Sequence, residues 1–156
     1  LSTTRQGSAG QSSTVSGYTS GGSPPPSGLN TIDKFPFAID TNATDIADLT
    51  QARRLTTGQS SFTNGYTSGG SQVNTPVNTI DKFPFATDAN ATDVGDLSQA
   101  RRQTAGQSST VSGYSSGGNV PPETNVIDKF PFATDANATD VGDLTQARNV
   151  ATGQQV

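Results

Sequence analysis

Residues 80–101, IDKFPFATDANATDVGDLSQAR, recur at 127–148 with one change, Ser98 to Thr145. A more diverged copy, IDKFPFAIDTNATDIADLTQAR, occupies 32–53. A second phrase alternates with it, GYTSGG at 17–22 and 65–70 and GYSSGG at 113–118. Repetition at this period constrains the fold more than any single residue, because each unit must bury its apolar face against a neighbour like itself. Function therefore has to be read from the unit.

With 156 residues the chain has the length of one small domain and is short for a complete closed repeat architecture. Only 29% of it is hydrophobic, Trp and Met are absent and 17 residues are Gly, a composition that borders on the disordered class. Three near-identical copies argue for an ordered array instead, in which small side chains let strands approach closely. The formal net charge is −4, with Lys and Arg scattered two or three per unit, so no basic patch is expected to hold a nucleic acid. Without Cys there is no disulfide or thiolate metal site, and without His the commonest general base and zinc ligand is missing. No apolar run approaches membrane-spanning length and no secretory signal is visible, so membrane insertion is not expected. The start at Leu1 points to a fragment, a processed product or the ordered part of something longer.

Along each unit the local signals are those of short strands. Residues 5–14 (RQGSAGQSST), 53–63 (RRLTTGQSSFT) and 101–110 (RRQTAGQSST) lack helical periodicity and read as a strand in a crowded place. A truncated counterpart, RNVATGQQV, occupies 148–156. The Gly-Tyr phrase predicts a turn and a brief second strand, ended by the pairs Gly21-Gly22, Gly69-Gly70 and Gly117-Gly118, which permit positive φ or close backbone approach. The stretches at 23–31, 71–79 and 119–126 differ in sequence, and the third is one residue shorter, as exposed loops tolerate. IDKFPF is the most apolar stretch; strand geometry puts Phe35 with Phe37, Phe83 with Phe85, and Phe130 with Phe132 on one face. Pro36, Pro84 and Pro131 cannot donate to a ladder, so this strand lies near a sheet edge or ends there. ATDANATD has the chemistry of a tight turn, and VGDL or IADL forms a short fourth strand.

Together, Arg101, Gly113-Tyr114, Gly117-Gly118, Val126-Ile127-Asp128-Lys129-Phe130 and Leu144-Thr145-Gln146-Ala147-Arg148 resemble a kelch repeat of a β-propeller. That pattern has an Arg before the innermost strand, an aromatic running into Gly-Gly, a third strand ending in an aromatic, and an apolar residue four before the next Arg. The unit length is close to the roughly 50 residues of kelch. The resemblance covers almost the whole chain and implies an all-β fold of four-stranded blades at 5–52, 53–100 and 101–147. Residues 148–156 are then an extra inner strand, for closure by exchange with 5–14 or as the start of a fourth blade. The family's last-strand Trp is absent, with Ile46, Val94 and Val141 nearby, and Pro36, Pro84 and Pro131 replace an Asp after the aromatic. No binding site is carried over on such a match. In style the repeats look like those of repetitive propeller-like proteins of bacteriophages, particularly marine and cyanobacterial ones. Propellers close with four to eight blades, so three blades imply a homo-oligomer in which two chains close a six-bladed ring, or a longer parent array.

Each candidate site has a structural competitor. Asp88, Asn90 and Asp93, with copies at Asp40, Asn42, Asp45 and Asp135, Asn137, Asp140, alternate oxygen ligands as calcium requires; a plain Asx turn is the reading we favour. Asn-Ala-Thr in the same segment is a formal glycosylation sequon, read as incidental. Arg53, Arg101 and Arg148 could ring an anion, but pairing with Asp48, Asp96 and Asp143, five residues before them, or with backbone carbonyls, is the simpler expectation. Tyr18, Tyr66 and Tyr114 could stack on sugars, and packing between blades is the commoner fate of a repeated aromatic. No unit holds a unique acid, base or nucleophile. The expectation is therefore a non-enzymatic, cofactor-free structural or binding module, virion-borne or extracellular, that shows its variable loops to a host-surface glycan or protein. A reconstructed repeat scaffold without a natural ligand is the competing reading, and a propeller enzyme a weaker third.

Overall fold

The computed structural model describes residues 1–24 and 27–153; Pro25 and Pro26 of the first variable loop, and 154–156, lie outside the described residues. The described residues form fourteen strands and no helix. The first sheet is β1 (Ala9–Ser12), β2 (Ser16–Ser20), β3 (Leu29–Pro36) and β4 (Thr44–Arg53), in that order. The second takes β5 (Thr57–Ser60), β6 (Asn64–Ser68), β9 (Thr79–Pro84) and β10 (Thr92–Asp96). Between its second and third strands, the hairpin β7 (Ser71–Gln72) and β8 (Thr75–Pro76) fills the variable loop. The third is β11 (Ala105–Ser108), β12 (Ser112–Ser116), β13 (Val126–Pro131) and β14 (Thr139–Asp143). All pairings are antiparallel, and register repeats with the sequence: Tyr18, Tyr66 and Tyr114 stand opposite Lys34, Lys82 and Lys129.

The chemistry of the unit explains each boundary. Pro36, Pro84 and Pro131 are the last residues of their strands, where a missing donor disturbs the ladder least. Gly17, Gly65 and Gly113 stand opposite Phe35, Phe83 and Phe130, and a Cβ at each would overlap the facing phenyl ring. The strand thus gives up a side chain so that an aromatic ring can lie across it. After the second strand the glycine pairs turn the chain with φ of 65° and 93°, 59° and 107°, and 63° and 109°, a backbone that side chains rarely adopt. They also bring the turn against the carbonyls of Arg53, Arg101 and Arg148, within 2.6–2.8 Å of where a Cβ would sit.

Apolar burial lies between the sheets. Tyr18, Ile32, Ala47 and Leu49 of the first meet Phe83 and Ala91 of the second. Tyr66, Ile80 and Leu97 of the second meet Phe130 and Ala138 of the third. Ile46 and Val94 pack against these clusters, in the strand where the kelch pattern has its Trp. Along the inner edge β5 lies between β1 and β11, so close that a Cβ on Gly58 would overlap the Gly10 carbonyl. The chain is all-β, with four-stranded antiparallel sheets stacked in the manner of a β-propeller.

Candidate functional site

Among the described residues, the most deeply buried charges are members of the repeated Arg series and the Asp that each of them meets. Arg53 and Arg101 are fully buried, and ion pairs join Arg5 to Asp33 at 3.0 Å, Arg53 to Asp81 at 2.9 Å and Arg101 to Asp128 at 2.8 Å. The Arg53 guanidinium also donates to the carbonyls of Gly69, Thr79 and Thr67, and Arg101 to those of Val126 and Ser115. Burial lowers the pKa of Arg53 and of Arg101, opposed by Asp81 and Asp128. The expectation of carbonyl partners holds, whereas that of pairing with Asp48, Asp96 and Asp143 is corrected. Along the extended β4, five residues span about 16 Å and an odd offset sends the two side chains to opposite faces. Each Arg reaches forward into the third strand of the following sheet.

Asp81 is held further by Thr50, whose N–H and Oγ1 donate to its two oxygens at 3.0 and 2.6 Å. Ser2 does the same for Asp33 at 2.8 and 2.7 Å. Leu1-Ser2-Thr3-Thr4-Arg5 is thus another copy of the connecting segment Leu49-Thr50-Gln51-Ala52-Arg53. The signal, a Leu and a hydroxyl residue ahead of each Arg, was legible in the sequence and was missed because Thr3 and Thr4 replace Gln-Ala. Arg148, the last of the series, is exposed, and its guanidinium donates only to the Gln146 carbonyl at 3.5 Å among the described residues. Arg53, Arg101 and Arg148 therefore do not form one cationic ring.

The candidate calcium residues point to different partners. Asp88 pairs with Lys34 of the preceding sheet at 2.9 Å, Asn90 Oδ1 accepts from the Asp48 N–H at 3.0 Å, and Asp93 accepts from Gly95 N–H. Asp135 and Asn137 repeat this with Lys82 and Asp96. The turn is an inter-sheet latch, and among the described residues no group of three acidic side chains could hold a metal. The Lys34 pKa is raised chiefly by its bond to Asp88. Tyr18 stacks on Phe85 with ring centroids 4.8 Å apart, and Tyr66 on Phe132 at 4.9 Å; both tyrosines are buried and neither is offered to a sugar.

Besides the free faces of the first and third sheets, exposed side chains lie at the two ends of the sheets. At one end are the loops after the glycine pairs, anchored by bridges from Gln6 to Ser23, Arg54 to Ser71 and Arg102 to Asn119. Their side chains differ from copy to copy: Asn74 accepts from Arg54 in the second, and Glu123 from Asn149 in the third. At the opposite end, the first-to-second-strand turns show Val15, Phe62 and Val111 to solvent, Phe62 at 85% exposure. A shallow depression of about 300 Å³ opens there among Ser12, Ser60, Ser61 and Phe62. Phe62 stands where the other copies have Thr14 and Thr110, so no repeated signal marks it in the sequence.

No family model and no curated relative matches the chain. Among solved structures, that of YjhT superposes on 94% of this chain with a TM-score of 0.76 at 10% identity. The chain spans about half of that protein, 54% of its length. At this identity the likeness is one of fold, and it places the chain among all-β proteins built from stacked sheets of this kind.

Proposed function

We propose that the chain is a non-enzymatic binding and structural module, a kelch-like β-propeller part of a bacteriophage virion or tail. Its loops at 23–31, 71–79 and 119–126 meet a host-surface glycan or protein. The observation that carries this reading is the division between framework and loop. Wherever two sheets meet, the residues common to all units, Arg, Asp, Tyr, Phe and the Asp-Asn turn, are occupied in joining them. The stretches that differ most between units lie at one end of the sheets, with Phe62 the exception at the other. Conserving a frame while varying its loops is how rigid scaffolds carry recognition.

The test is a loop transplant. Replacing 71–78 by the sequence of 119–125 is expected to change or abolish binding to glycan arrays and host envelopes while the melting temperature stays within a few degrees. Binding that ignores all three loops but is lost on Phe62→Ser would move the site to the opposite end. The near-identity of 80–101 and 127–148 favours one second reading, a reconstructed scaffold without a natural ligand, for which every surface assay stays blank.

A further inference from the structure

Two faces of this array are halves of a junction that the chain already builds twice. Where sheets meet, the leading sheet gives a Tyr, an Ile and a Lys, and the following sheet gives two Phe and an Asp-Asn turn. Tyr18 on Phe85 and Lys34 on Asp88 join the first to the second. Tyr66 on Phe132 and Lys82 on Asp135 join the second to the third. Backbone bonds repeat as well, Ala91 N–H to the Asp48 carbonyl and Ala138 N–H to the Asp96 carbonyl, both 2.8 Å. At the inner edge Gln11 and Gln59 donate across to the Tyr66 and Tyr114 carbonyls.

Among the described residues, the third sheet carries the leading half with no Phe pair and no Asp-Asn turn on it. Tyr114 and Ile127 are half-buried where Tyr66 and Ile80 are 2% and 0% exposed, and Gln107 bonds only within its own sheet among the described residues. The first sheet carries the following half: Phe35 is half-buried where Phe83 is 1% exposed, and Phe37 is 56% exposed. Asp40 and Asn42 stand where Asp88 and Asn90 do. Each exposed group on one face has its complement on the other, in the register of an existing interface. The YjhT chain is nearly twice as long as the part of it that this array covers, 54%.

We propose that two copies of this chain join head to tail into one closed ring. Tyr114 and Lys129 of each copy take Phe37 and Asp40 of the other. The inference does not rest on the loop reading. One device regulates it. The seat at Asp33, which a preceding sheet's connecting segment would fill, is already held by Ser2 and Arg5. Residues 146–153, equivalent to 3–10, run where the docking copy's own 3–10 must lie. Val150 N–H continues the inner ladder by donating to Gln103, as Gln103 does to Leu55. Docking displaces this tail, because Arg5 is bonded in its seat and Arg148 is not.

Light scattering of the full chain should give twice the chain mass. Lys129→Asp, which sets two carboxylates together, should raise the dissociation constant by about tenfold or more, and adding Asp40→Lys should restore it. Deleting 149–156 should tighten the dimer. A monomer at every concentration, a mass beyond two chains, or no rescue by the double variant overturns the ring, and a weaker dimer on deletion overturns the displacement. Surface binding by a strictly monomeric chain would leave the loop reading standing while this one falls.

Discussion

Arg53 shows how much one side chain can hold. Its guanidinium satisfies three carbonyls and the Asp81 carboxylate with no exposed surface. Two charges removed from water gain little net stability as a pair, yet leaving either alone is costly. Arg53→Met is therefore expected to cost about 3–5 kcal/mol, and Arg53→Met with Asp81→Leu to recover part of it. Urea unfolding of the three variants checks this, and a single-variant cost below about 1 kcal/mol would show the pair to be dispensable. The Arg was legible in the sequence as a repeated residue. Its partner was not, since the carboxylate close in sequence points away and the true one stands in the next unit's third strand. A smaller effect sits beside it. Asp128 Oδ1 is buried without a hydrogen-bond partner, because Ser98 offers only its N–H. Thr50 and Ser2 each bond both oxygens of their Asp, so a hydroxyl fits there, and Ser98→Thr, whose branched Cβ narrows the χ1 choices, should stabilise by about 0.5–1.5 kcal/mol, read as a rise in the denaturation midpoint.

At the scale of the element, the second strand, third strand and Asp-Asn turn act together as a connector. The strands and their ends could be read from the sequence, because glycine pairs and prolines state their constraints locally. That the turn latches onto the preceding sheet could not, since Asp and Asn serve an isolated turn equally well. The latch makes stability depend on alkaline pH. Lys34, beside Asp88, and Tyr66, buried under Phe130 and Phe132, both have raised pKa values. Each binds its proton more tightly folded than unfolded. The stability this contributes is fully present below their ordinary values, 10.5 and 10.0, and is lost as pH rises through the raised ones. Arg53 and Arg101, whose pKa values burial lowers, carry the opposite sign. Melting temperature should thus be flat from about pH 7 to 9 and fall above about 10. A rise there would mean that these groups do not couple to folding.

At the scale of the whole molecule, the three sheets share a sequence but not an environment. The second sheet has neighbours on both faces, so Tyr66, Ile80 and Phe83 are each at most 2% exposed. β14 is exposed along its whole length, whereas the equivalent stretch of β4, Thr44–Asp48, has Ala47 buried and Ile46 and Asp48 half-buried. In an array whose units contact only their neighbours, stability is a sum of unit and interface terms. A unit lacking one interface opens at a lower free energy than one with two. Hydrogen exchange on the monomeric Lys129→Asp variant should therefore show β14 amides exchanging first, then those of β4, with β9 the most protected. The near-identity of 80–101 and 127–148 makes the comparison clean, because β9–β10 from Ile80 and β13–β14 from Ile127 carry the same residues and any difference between them belongs to position. Equal protection of β10 and β14 would mean that the sheets unfold as one unit. In the dimer the order should change, since a second copy lying on Tyr114 and Ile127 gives β13 and β14 the neighbour that the second sheet already has.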